Sequence, residues 1–253
     1  MSDAKPRVQL LLPMWPAPLQ VRTAITCRAG GYSLAPYHSL NLGGHVGDDP
    51  KTVLLNRALL QESLPSNPIW LKQVHGVNVS VPSSRLDEAD AIVTNQVSEV
   101  LAIMTADCLP VLFTNDSGSV IGAAHAGWRG LCNGVLENTV KEMQILSGVN
   151  SARGILAYLG PAIGPQAFEV GVDVLEAFQD AEIPFPDESF TAIPNKPGKY
   201  LANLYLLARS RLESIGLQQV YGGNYCTVTQ AEQFFSYRRD GVTGRFASLI
   251  WIS

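Results

Sequence analysis

Two of the four histidines in this 253-residue chain close apolar runs. His75 ends LKQVHG, and His125 sits in VIGAAHAGWRG. Between them lies Cys108, in the run MTADCLPVLF, directly after Asp107. Two imidazoles and a thiolate at three strand ends suit a borderline-soft ion such as zinc. Three protein ligands would leave a fourth position open, the arrangement of catalytic sites. Asp107 would then act as a general base or anchor a ligand histidine. A second chemistry fits the same residues: Cys108 as nucleophile, with His125 or His75 as its base. A third reading is bland, because a strand cysteine is commonly a small hydrophobe. Spacing alone does not separate the three.

Other residues carry weaker signals. Arg129, in HAGWRG, follows a strand–glycine turn and opens a helix, a place where a guanidinium could hold phosphate or carboxylate. Arg238, in FSYRRDGVTGRF, reads either as a cationic rim or as part of an ordinary hairpin. Asn41 and His45 lie in SLNLGGHVGDDP, a glycine-shaped ligand loop or a long turn. Cys27, Cys132 and Cys226 show no CxxC spacing and read as core or neutral thiols.

These residues need elements to place them. Strand patterns occupy 21–28, 69–76, 91–95, 101–107, 111–115 and 120–127, with further strands in GILAYLGPAI, GGNYCTVT and RFASLIWIS. In this reading Cys108 ends a strand and Pro110 helps break it. Asp49 caps a helix that starts at Pro50 and runs through PKTVLLNRALLQESL. Helices are also predicted at about 130–147, over VDVLEAFQ, and over YLANLYLLARSRLESIG. The proline-rich stretch 183–200 reads as a long excursion, with a lid as one use. Strands come in clusters with helices between them, so the expected class is α+β with mixed sheets, in a single domain over 1–253.

Composition sets limits. Hydrophobic residues make up 46% and charged residues 16%, the balance of a globular chain. A net charge of −4 argues against nucleic acid or an anionic membrane as the main partner. No apolar run approaches the roughly 20 residues of a spanning helix. The start, VQLLLPMWPAPLQV, is broken by Pro13, Pro16 and Pro18 and lacks the pattern of a signal peptide. A cytoplasmic, monomeric protein is the expectation.

Taken together, PYHSLNLGGHVGDDP, LKQVHG, DAIVT, MTADCLPVLF, GAAHAGWRG and FFSYRRDGVTGRFASLIW resemble the laccase-domain family. That family is also called multicopper polyphenol oxidoreductase, purine nucleoside phosphorylase or peptidoglycan-editing factor. The motifs run in order from about residue 20 to the C-terminus. The resemblance implies an α-β-β-α arrangement similar to Cys–His deamidase toxin domains. It implies a His75–Cys108–His125 metal site for zinc or copper. It implies phosphorolysis of adenosine, inosine and methylthioadenosine, and deamination of adenosine. In that setting Arg129 would position the phosphate, and Asn41, His45 and Arg238 would contact substrate. Editing of peptidoglycan precursors, by a Cys–His amide hydrolase, is a further implied role. A full multicopper centre needs more imidazoles than four histidines furnish, which leaves at most one copper and a minor phenol oxidation.

Overall fold

The computed structural model describes residues 5–182 and 184–253. In chain order, β1 (Leu10–Leu11) and β2 (Val21–Thr26) lead to α1 (Pro50–Gln61). Six strands follow: β3 (Ile69–Trp70), β4 (Val79–Ser80), β5 (Ala91–Thr94), β6 (Leu101–Thr105), β7 (Leu109–Asn115) and β8 (Ile121–Ala126). Next come α2 (Trp128–Cys132), α3 (Val135–Ser147), β9 (Ile155–Leu159), β10 (Glu169–Gly171) and α4 (Val172–Asp180). The chain closes with β11 (Phe190–Ala192), β12 (Lys199–Ala202), α5 (Leu204–Ser214), β13 (Gln219–Gly222), α6 (Tyr237–Asp240) and β14 (Phe246–Ile252).

Two mixed sheets stack. One has the order β1-β2-β14-β6-β3, the other β13-β9-β7-β8-β5-β4. Period-2 alternation explains the stacking. In β14, Phe246, Ile250 and Ile252 face the space between the sheets, while Ala247 and Leu249 face outward onto Leu59 and Leu60 of α1. In β6, Leu101 and Ile103 point inward, and Ala102 and Met104 outward. The far face of the second sheet presents Val111, Phe113 and Ala124 to α3, α4 and α5. On α3 the apolar positions Leu136, Val140 and Met143 recur at helical spacing on that core. The molecule is therefore layered α-β-β-α, as expected for this mixed α+β class.

Several local expectations need correction. Pro110 does not break a strand. It lies inside β7, opposite His125 of β8. Gly160 N–H donates to the Pro110 carbonyl, and the Gly160 carbonyl, left without the proline's N–H, lies 3.3 Å from the Tyr205 hydroxyl, which also reaches the Tyr225 carbonyl at 2.9 Å. The break falls earlier, at Ala106–Cys108, where Asp107 adopts φ 105° and the chain passes from one sheet to the other. The single helix expected at 130–147 is two, because Gly134 takes φ 96° between α2 and α3. Of the strand expected at 69–76, Ile69–Trp70 forms β3 and Lys72 makes a single parallel bridge to Glu88, and the rest does not pair. GGNYCTVT contributes only its first residue to β13, residues 223–226 being irregular and 227–229 a turn. The proline-rich stretch is not a plain loop: β11 and β12 pair within it and just beyond, and β10 completes a small antiparallel sheet. Its first residue, Ile183, lies outside the described residues.

Candidate metal and active site

The three ligand candidates converge. His75 sits in the turn after β3, Cys108 between β6 and β7, and His125 within β8. One ligand atom from each lies within 4.8 Å of the others. Cys108 Sγ is 3.6 Å from His75 Nε2. Bond lengths to zinc of about 2.1 Å for nitrogen and 2.3 Å for sulfur, at tetrahedral angles, require a separation of about 3.6 Å. The nitrogen–sulfur–nitrogen donor set therefore fits a single borderline-soft ion in both chemistry and spacing. Glycine at 127 is required by this packing, since a Cβ there would meet His75 Cδ2 at 2.7 Å and Cys108 Sγ at 3.2 Å.

Electrostatics concentrate in the same place. Burial pushes the Cys108 thiol up, but the charge of His125 and hydrogen bonds from both imidazoles win, holding it at about 6. Burial pushes His125 down, and the thiolate charge and the Asp90 hydrogen bond outweigh it, raising the imidazole to about 9. His125 is only 3% exposed. Its Nδ1 lies 2.8 Å from Asp90 Oδ1, which leaves Nε2 for the thiolate or an ion. Asp90 was missed by sequence reasoning. The available signal was a carboxylate abutting the apolar run of β5 in DAIVT, since a buried charge needs partners.

The triad forms one wall of a cavity of about 290 Å³, with His45, Tyr237 and Arg245 among its other lining residues. That volume sits at the lower end for small-molecule sites. His45 is thus placed at the cavity. Burial, and then the charges of Arg245 and Arg57, hold its imidazole below the ordinary range. Asn41 does not line the space. It is fully buried and organises the loop, its Oδ1 accepting from Gly43 N and Arg245 N. Asp107 turns away from the triad, accepting from Thr227 Oγ1 and Arg238 N, each at 2.6 Å. Arg238 is exposed and donates to the Glu169 carbonyl, over the Phe168 ring. Arg129 is exposed and lies over Trp128. Neither arginine lines the cavity. Arg245, unremarked in the sequence, does; of its guanidinium nitrogens only Nη1 hydrogen-bonds among the described residues, to the carbonyls of Thr243 and Gly244. A larger cavity of about 560 Å³, beside Lys5–Val8 and Leu59, carries an exposed Lys5–Glu62 ion pair, and among the described residues no cysteine or histidine lines it.

Fold and site together define a class, and the chain belongs to the multi-copper polyphenol oxidoreductase laccase family, whose model matches residues 22–253. Among its relatives, the purine nucleoside phosphorylase of Haemophilus influenzae is 50% identical over 252 residues, covering 96% of this chain and 99% of that one. The Escherichia coli purine nucleoside phosphorylase YfiH is 49% identical over 249 residues, with the same coverage. A crystal structure of a Neisseria meningitidis protein of the DUF152 family superposes with a TM-score of 0.88 at 48% identity, over 96% of this chain and 99% of that one.

Proposed function

We propose that this chain is a metal-dependent purine nucleoside phosphorylase, acting on adenosine, inosine and methylthioadenosine, with deamination of adenosine as a second activity. The observation that carries the reading is the His75–Cys108–His125 cluster opening on a cavity that also holds Arg245 and His45. The names of the Haemophilus and Escherichia relatives support the substrate class.

In phosphorolysis the C1′–N9 bond of the nucleoside breaks as a phosphate oxygen bonds C1′. The transition state is oxocarbenium-like, so holding the anion in line is the main task. Arg245 offers Nε and Nη2, which make no hydrogen bond among the described residues, and His45 adds a ring nitrogen. Tyr237, exposed at the rim, gives a flat surface for the purine. An ion held by His75, Cys108 and His125, zinc in this reading, supplies Lewis acidity toward a substrate oxygen. Asp90 keeps the His125 ring oriented throughout. The working unit in this reading is a single chain. Four free thiols suit the reducing cytoplasm, where we place the activity.

A second reading has its own observation. Asp90, His125 and Cys108 stand in the acid–imidazole–thiol order of a Cys–His amide hydrolase, with the thiol already lowered to about 6. Peptidoglycan precursors would be its substrates. Product analysis with adenosine separates the readings. Adenine formed only when phosphate is present supports phosphorolysis, and inosine supports deamination. If metal-loaded protein yields neither, while chelated protein cleaves a muropeptide amide, the phosphorylase reading is overturned.

A further inference from the structure

Asp90 lies directly before β5 and is 0% exposed. Its carboxylate collects hydrogen bonds from two directions. Oδ1 accepts from His125 Nδ1 at 2.8 Å and from the His75 backbone N–H at 2.9 Å. Oδ2 accepts from the backbone N–H of Gly76 at 2.7 Å and of Val74 at 3.2 Å. Three consecutive amides therefore converge on one anion, the concave backbone arrangement that binds anions elsewhere. His75 stands at the middle of that turn with φ 63°, a left-handed conformation that costs a non-glycine residue energy unless its surroundings impose it. The Asp90 carbonyl also accepts the His125 backbone N–H at 2.6 Å. His125 is thus held at both its backbone and its ring by one residue.

We infer that Asp90 is the positioning residue of the site, a single carboxylate that assembles both histidine arms around Cys108 before any ion arrives. This goes beyond the proposed activity, although it rests on the same three ligands. A carboxylate has about four acceptor positions, and here all four are used. An amide of the same shape cannot replace it. In an Asp90→Asn variant the side-chain NH2 would face N–H donors on one side, and either His125 or the His75 turn would lose its partner. Ligand-orienting partners of this kind change metal affinity by about 10–100-fold when removed.

The test is Asp90→Asn, read first by metal competition rather than by turnover. Zinc affinity is expected to fall by about 10–100-fold. The ligand-field absorption of the cobalt-loaded variant should shift and weaken as the His75 arm loosens. An unchanged affinity and cobalt spectrum in a folded variant would overturn the inference. Should the variant not fold, the wild-type protein still decides. In isotope-labelled histidine spectra of the cadmium-loaded protein, the metal should couple to Nε2 of His125, with a proton on Nδ1. Coupling through Nδ1 would overturn the inference equally. None of these readouts depends on nucleoside chemistry, so the phosphorylase reading can fail while this one stands.

Discussion

At the scale of single residues, the candidate metal site carries a charge-separated pair. Cys108 sits at about 6 and His125 at about 9, so between those values the metal-free protein carries a thiolate beside an imidazolium. A metal competes only for deprotonated ligands. The sign follows: uptake expels about one proton from this pair between pH 6 and 9, and about two below pH 6. Apparent affinity must therefore rise with pH up to about 9. Calorimetric titration of zinc in buffers of different ionisation enthalpy measures the released protons directly. A proton count near zero at neutral pH would contradict the thiolate–imidazolium pair. Cys108, His75 and His125 were legible in the sequence because strand-end histidines and a strand-end thiol are few. Asp90 and Arg245 were not, because their meaning depends on partners 35 residues away in one case and on a shared cavity in the other.

Among elements, Asp107 changes role. A carboxylate beside a candidate ligand reads as a base, yet its oxygens are taken by Thr227 and by the first turn of α6. It fastens the segment that carries Tyr237 to the turn that carries Cys108. Asp107→Ala is expected to raise KM for nucleoside several-fold more than it lowers kcat, and to leave zinc stoichiometry unchanged. Steady-state kinetics with metal analysis checks this, and a variant that loses metal would return Asp107 to the ion. Strands Ala91–Thr94 and Leu101–Thr105 were readable as apolar runs closed by threonine, and Ile121–Ala126 as one interrupted only by His125, between turn signals. Helix α1 was readable from its cap, Asp49 accepting from Thr52 N with Pro50 following. The split of α2 from α3 was not, because the apolar spacing continues across Gly134 and only its backbone angle stops the helix. The paired strands near the proline-rich stretch were hidden for a similar reason: β12 begins at Lys199 inside a segment whose prolines dominate its composition.

For the whole molecule, the two sheets share one apolar layer, in which Ile103, Leu112, Ile121 and Ile250 pack together. Ile103→Ala removes atoms from the middle of that layer, where they are 0% exposed, and should cost about 2–5 kcal/mol. Thermal unfolding should remain one transition at a lower midpoint, since both sheets lose the same contact surface. Two separated transitions would show that they unfold independently, against the single domain we propose. No helix among the described residues is long and apolar enough to cross a membrane. The pass of the chain from one sheet to the other at Ala106–Cys108 has a further consequence. His75 lies on another such pass, between β3 of the first sheet and β4 of the second, while His125 belongs wholly to the second. An ion gripped by all three is a rivet through the seam of a two-ply fabric. On the proposed metal-dependent function, its loss should leave each ply intact and let the edges of the seam part, and metal content would then gauge how long the protein lasts as well as how fast it works.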